Sequence, residues 1–399
     1  MKLLVVMAHN PFNPKTGSEN LAFNNIIKLS ENNYIDVLTL DLSDKQIDID
    51  CINCNIILAD KNKDVITKWL KILLDGLKIS FSFTIFISIE MRRQVGKLLK
   101  HRTYDAILLY ELGAVQYFQK SNYNKIILNI EDPLSLKLMR MANLSVWTKW
   151  DRLKLIVRSK IESLYEKHIF PKMAKVLVLS AADLNDMYKE GVHGKFGCVS
   201  YGTKQMNATN LVPYEKRTDG MIVFSGNMFH PPNIDGALFF LHQIYPLVLR
   251  EYPSANLWIV GANPDKRILY SASQFNDHVV ITGRVTEVSE YVKVAKVSIC
   301  PIRLKIGVQT KILEALSCGT PVVTTSAGNS GICGVNGRDL WIEDAPSKFA
   351  SRVISLLRGE SWSRFSTEGR KFVAEHFTWE RSASELEMHI KQLSVNQEY

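Results

Sequence analysis

The sequence reads as an α/β protein made of two successive doubly wound units. Short apolar runs of strand character recur along the first half at "KLLVVMA", "IDVLTLD", "YDAILLYE", "NKIILNIED" and "AKVLVLS", and the segments between them mostly have helical spacing. That alternation builds a parallel sheet with helices on both faces. Around Tyr201 to Thr218 the periodicity lapses into "YGTKQMNATNLVPYEKRTDG", a linker. The alternation then restarts with "GMIVFSG", "ANLWIVGANP", "HVVITGR", "VSICPI" and "TPVVTT". Two such units with a hinge imply a cleft, with ligands beyond the carboxyl ends of the strands.

The N-terminal "MKLLVVMAHNPFNP" has an apolar run of six residues, short for a signal-peptide core, and reads as the first buried strand of a cytoplasmic protein. After it, Gly17 and Ser18 turn the chain and open a helix in "KTGSENLAFNNIIKLSENN". With 399 residues, 46% hydrophobic and 22% charged, and no apolar run of about eighteen residues, the chain reads as soluble and of two-domain size. Its six cysteines are scattered, and "CINC" is followed by no second pair at ligand spacing, so no metal site is expected.

The net charge of +9 suits acidic partners such as nucleotide phosphates, nucleic acid or an anionic membrane. No basic–aromatic repeat or known nucleic-acid module is visible, and no nucleic-acid partner is expected. Residues 145–170, "SVWTKWDRLKLIVRSKIESLYEKHIF", place Trp150, Leu153, Val157, Ile161 and Leu164 at helical spacing. Lys149, Arg152, Lys154, Arg158, Lys160 and Lys167 there outnumber Asp151, Glu162 and Glu166. The pattern fits a helix lying on an anionic bilayer, or a domain helix with a solvated charged face.

In the second unit, "RLKIG" follows a strand and leads to a helix starting near Val308, "VQTKILEALSCG", closed by Gly319 and Pro321. Thr310, Lys311 and Glu314 share one face, while Ile312, Leu313 and Leu316 face the sheet. The helix N-terminus, with Arg303, Lys305 and Lys311 near in sequence, suits a pyrophosphate. Glu314, one turn further in, suits a pair of ribose hydroxyls. An ordinary surface helix with a Lys311–Glu314 pair has the same spacing.

Five passages, "FSGNMFHPPNIDGALFFL", "YPLVLREYPSANLWIVGANP", "VVITGRV", "RLKIGVQTKILEALSCGTPVVTT" and "FTWERSASELEMHI", resemble in order and spacing the group 1 retaining glycosyltransferases of the GT-B fold. They are most similar to the branch associated with bacterial exopolysaccharide systems. "GSENLAFNNIIKLS" and "FTIFISIEMRRQVGKLLKHRTYDAILLYE" resemble that branch more loosely. The resemblance implies an acceptor-side domain at 1–203, a nucleotide-sugar domain at 204–378, and a helix over 379–399 packing back on the first.

The family's signature is a Glu, seven residues, then a second Glu on the donor ribose. This sequence has Ile306 at the first position and Glu314 at the second. Gly307, Val308, Gln309 and Thr310 match the turn whose amides hold the donor pyrophosphate. In the loop of Gly226 and Asn227, where many relatives carry an Arg and a Lys, this chain reads "SGNMFHPPN" with His230. Neutralisation of the diphosphate then falls to Arg303, Lys305 or Lys311. Arg284 sits on the loop that flanks the base, or is a plain structural arginine.

In the first domain, Gly17 and Ser18 match a glycine loop facing donor and acceptor. Asp132, with Glu131 behind it, stands where relatives carry a His or Asp near the reacting sugar. An Asp before Pro133 is equally a helix cap. The resemblance implies retention of configuration, no cofactor or required metal, a saccharide or lipid-linked acceptor, and a cytoplasmic enzyme docked on the inner face of the plasma membrane. A sugar-nucleotide epimerase and a non-catalytic nucleotide-sugar-binding protein share the architecture.

Overall fold

The structure, a computed structural model, describes residues 1–12, 14, 16–40, 53–59 and 88–395. Cys51, the first cysteine of "CINC", lies outside them, as do residues 83–87 of "FTIFISIEMRRQVGKLLKHRTYDAILLYE" and residues 396–399. The chain divides into two compact units, residues 1–138, 156–202 and 379–399 in one and 139–155 and 203–378 in the other.

The first unit is a parallel sheet of β1 (Lys2–Met7), β2 (Tyr34–Leu40), β3 (Cys54–Ala59), β4 (Ala106–Leu109), β5 (Ile126–Asn129), β6 (Lys175–Val178) and β7 (Phe196–Cys198). Its order is β3-β2-β1-β4-β5-β6-β7. The central strands are continuous apolar runs, fully buried in β4 and β5, as expected where helices cover both faces. α1 (Gly17–Ser30) follows β1, and α2 (Ile89–His101) precedes β4. Thr16 and Glu19 form a capping box that fixes the start of α1.

After β5 come α3 (Leu134–Ala142) and α4 (Lys149–Ile169), and α5 (Ala181–Lys189) follows β6. Residues 139–155, placed in the first domain from sequence, group instead with the second unit. There Arg140 Nη1 donates to the Lys305 carbonyl at 2.7 Å and Arg267 Nη1 to the Val146 carbonyl at 2.8 Å.

The second unit orders six parallel strands as β10-β9-β8-β11-β12-β13. In chain order its elements are β8 (Thr218–Ser225), α6 (Pro231–Phe239), α7 (Tyr245–Glu251), β9 (Asn256–Val260), α8 (Lys266–Ala272), β10 (Val279–Gly283), α9 (Val288–Val292) and β11 (Ala295–Cys300). Next are α10 (Thr310–Ser317), β12 (Val322–Thr324), α11 (Ser326–Asn329), β13 (Trp341–Ile342), α12 (Pro346–Leu357) and α13 (Trp362–His376). Buried Arg217 fixes the entry to β8 by donating to the carbonyls of Val212 and Ala295 and to Thr320 Oγ1.

The last helix, α14 (Trp379–Val395), groups with the first unit. The Trp379 ring lies so close to Gly202 that a Cβ there would come within 2.4 Å of it. Ser382 Oγ donates to Asn25 Oδ1 at 3.0 Å, and Glu385 accepts from the Ser200 amide at 2.7 Å.

Candidate active site

In the second unit the chain order of the sheet reverses between β8 and β11, which makes the loops after these strands the place for a ligand. The loop after β8 is closely held. Gly226 has φ 146° and Gly261 φ 148°, and a Cβ on Gly261 would fall 1.8 Å from the Gly226 carbonyl. Only paired glycines permit that approach. The Asn227 carbonyl accepts from the His230 amide and Asn233 Nδ2, and Asn227 Oδ1 from the Phe229 amide.

The loop after β11 ends in the turn 306–309. Gly307 takes φ 40°, and Gln309 Nε2 donates to the Ile306 carbonyl at 3.0 Å. That closure delays α10 to Thr310, two residues after the start near Val308 expected from sequence. Ile306, at the first signature position, is buried, so an apolar contact stands where a carboxylate would.

Lys311 turns inward and makes no ion pair with Glu314. Its Nζ donates to Asn233 Oδ1 at 3.0 Å and Gln309 Oε1 at 3.2 Å, over the Phe224 ring. A Cβ on Gly226 would lie 3.3 Å from Lys311 Cε. Burial lowers the Lys311 ammonium below the usual lysine range, opposed by Cys300 and Glu314. A surface Lys–Glu pair is therefore not what this helix carries.

Glu314 is pushed up to about 7, first by burial and then by the charge of Glu287, with Lys311 opposing. No hydrogen bond or ion pair of its carboxylate occurs among the described residues. A carboxylate withdrawn from water without a protein partner is suited to a ligand's hydroxyls.

Arg303 departs from expectation as a free cation. Its fork is bidentate to buried Asp235, at 2.9 and 2.6 Å, and it lies over the Phe239 ring. It braces the loop. Lys305 is half-buried and its carbonyl is held by Arg140. Thr310 and Arg284 are exposed, and Val308 is half-buried.

In the first unit, Gly17 and Ser18 open α1 beside Glu131, whose Oε1 would sit 3.2 Å from a Cβ on Gly17. Burial pushes Glu131 up to about 7, with Asp132 adding to the rise and Lys137 and a hydrogen bond from Ser18 opposing it. Glu131 Oε1 and Asp132 Oδ1 are buried without a hydrogen-bond partner among the described residues. Asp132 Oδ2 pairs with Lys137 Nζ at 3.0 Å. Burial disfavours the Lys137 ammonium, but Asp132 and Glu131 outweigh it and its pKa is raised.

Asp132 does not serve as the cap of α3. The Ser135 amide donates instead to Glu166 of α4, at 3.0 Å. Nothing in the sequence marked Lys137, Glu166 or Asn233 for these roles, because each meets its partner only through the fold. The same holds for Glu111 beyond β4, whose carboxylate takes the Ala8 amide at 2.8 Å and His9 Nδ1 at 2.5 Å. Among the described residues no group of three or more His, Cys, Asp or Glu is arranged to hold a metal.

Residues 219–359 match the family model described as "Glycosyl transferases group 1". A protein of Klebsiella pneumoniae, described as an uncharacterized 44.6 kDa protein in the cps region, is 28% identical over 146 residues. That match takes in 35% of this chain and 38% of the relative.

Among solved structures, the sucrose-phosphate synthase of Thermosynechococcus elongatus superposes with TM-score 0.70 at 15% identity, covering 99% of both chains. TarM of S. aureus, solved as a point mutant with fondaparinux, alpha-GlcNAc-glycerol and UDP, gives 0.68 at 12% identity over 98% of this chain and 99% of its own. Anabaena HepE, solved with UDP and glucose, gives 0.67 at 10% identity over 98% and 99%. The chain has the GT-B fold of two Rossmann-like domains, and the match to the group 1 glycosyl transferase model lies within its second unit.

Proposed function

We propose that the chain moves a sugar from a nucleotide-diphosphate sugar to a saccharide or lipid-linked acceptor in cell-surface polysaccharide biosynthesis, with retention of configuration and no required metal. The observation that carries this reading is the pair Lys311 and Glu314 on α10: a half-buried cation under the glycine-closed loop, and one turn beyond it a carboxylate without a partner among the described residues. The start of α10 and Lys311 stabilise the departing diphosphate, while Glu314 accepts from the ribose hydroxyls. In the first unit, Asp132 orients the acceptor hydroxyl and receives its proton as the new glycosidic bond forms. The UDP in the TarM and HepE structures and the cps-region relative support the donor class and the setting.

A thermal-shift screen of UDP, GDP, dTDP and their sugars tests the donor site, with stabilisation by one nucleotide series expected. The best donor is then incubated with and without membrane lipid extract. Consumption only with extract is expected; turnover without any acceptor would point to an epimerase, and no turnover to a binding protein.

Helix α4 supports a membrane-bound acceptor. Its inward residues include Ser159, Glu162 and Glu166, whereas Trp150, Leu153, Val157 and Leu164 are 73, 50, 49 and 71% exposed. At 100° per residue those four fall within an arc of about 60°. Lys149, Lys154, Lys160 and Lys167 are exposed along the same helix. An outward apolar stripe with lysines beside it fits the interface of an anionic bilayer. No helix among the described residues is long and apolar enough to cross one. Anionic vesicles at low salt should retain the protein, and Glu at Lys149, Arg152 and Lys160 should release it; equal retention would refute the docking.

A further inference from the structure

We infer that Glu166 is a positioning residue that keeps Asp132 from folding back onto the start of α3, so that the Asp132 carboxyl stays turned to the acceptor. The inference rests on the transferase reading for what Asp132 does, but not for where Asp132 points.

An aspartate just before a helix readily caps it, its side-chain oxygen accepting from the amide two or three residues further on. Asp132, followed by Pro133 and then Leu134, is such an aspartate. The first amides of a helix have no partner within it and compete for any nearby acceptor. Here the acceptor comes from another helix. Glu166, fully buried on α4, accepts from the Ser135 amide at 3.0 Å and from Ser135 Oγ.

Ser159 Oγ, also on α4, donates to the Ser135 carbonyl at 2.8 Å and fixes the same residue from its other side. With the Ser135 amide taken, Asp132 turns to Lys137 and leaves Oδ1 buried with no hydrogen-bond partner among the described residues. The start of α3 is thus capped from outside. That arrangement costs the burial of a carboxyl group, which pushes Glu166 up to about 7 against the bonds from Ser135, with Glu162 adding to the rise. A local cap by Asp132 would avoid that cost, and the sequence supplies one in place. Keeping Asp132 off the helix start explains why the fold uses Glu166 instead.

The test is a double-mutant cycle on the full chain. Glu166→Leu removes the acceptor and should lower kcat about tenfold with donor KM unchanged. In the Asp132→Asn background it should cost nothing further, because Glu166 acts through Asp132. Additive losses in the two backgrounds would mark Glu166 as merely structural and overturn the inference. Glu166→Gln keeps an oxygen for the amides and should restore most of the loss; a Gln variant as impaired as Leu overturns it too. If Glu166→Leu does not fold, Ser135→Ala, which removes one of the bonds holding Glu166, takes its place in the cycle.

A readout independent of turnover separates this inference from the transferase reading. The Asp132 carboxyl carbon, followed by NMR, should report the Lys137 ion pair in wild type and a shifted environment in Glu166→Leu. An unmoved signal overturns the positioning role. A moved signal in a protein that consumes no nucleotide sugar upholds the positioning and refutes the transferase reading.

Discussion

The carboxyl edges of the two sheets differ in charge although the strands that build them run in the same way. In the second unit, the loops at the reversal between β8 and β11 enclose Lys311, a cation with no carboxylate in bonding range among the described residues, beside helix amides. In the first unit, β5 ends in two adjacent carboxylates, Glu131 and Asp132, with Lys137 as the countercharge. In the second unit the charged group lies at the reversal of strand order, whereas in the first the carboxylates lie one strand beyond it. A half-buried cation beside a helix N-terminus suits a diphosphate; buried carboxylates suit hydroxyls and a developing positive charge.

Asp132→Asn puts that division under the greatest strain. On the proposed mechanism, loss of the proton acceptor should cut turnover about 10²- to 10⁴-fold, with nucleotide affinity untouched because the proposed donor residues belong to the other unit. A Kd that weakens in parallel with kcat, measured by titration and steady-state kinetics, would show that the edges are not independent.

A smaller effect should appear in stability. The folded Glu131 carboxyl titrates at about 7 against an ordinary 4.5, so the unfolded chain ionises first as pH rises. The unfolded state then binds fewer protons, and stability falls between about pH 4.5 and 7 and levels off above. Glu131→Gln carries no such charge and should be more stable than wild type at pH 8, by about 2 kcal/mol, with little gain near pH 5. Urea unfolding at the two values checks this; parallel pH profiles would remove Glu131 as a buried, neutral-leaning acid.

The central strands were legible because continuous apolar runs in parallel sheets admit little else. The three strands the sequence did not reveal, β3, β7 and β13, all lie at sheet edges, and β7 and β13 are only three and two residues long. Spacing alone singled out Lys311 and Glu314, but which way Lys311 turns depends on Asn233, far off in sequence. In α4 the apolar stripe was plain from the sequence, and its direction was not. An apolar face normally points to the core, and here buried Glu162 and Glu166 claim that side. Arg303 looked free for the same reason, since Asp235 reaches it only through the fold.

The proposed donor site stands or falls with Glu314, and its decisive test is titration calorimetry of the preferred nucleoside diphosphate against wild type and Glu314→Gln, at pH 6 and pH 8. Glu314 titrates at about 7, so wild type should bind more tightly at pH 8, where its carboxylate can accept from the ribose. Glu314→Gln should bind about tenfold more weakly at pH 8 and lose that part of the pH dependence. Equal affinity and equal pH dependence in the two proteins would contradict the assignment of Glu314 to the donor ribose.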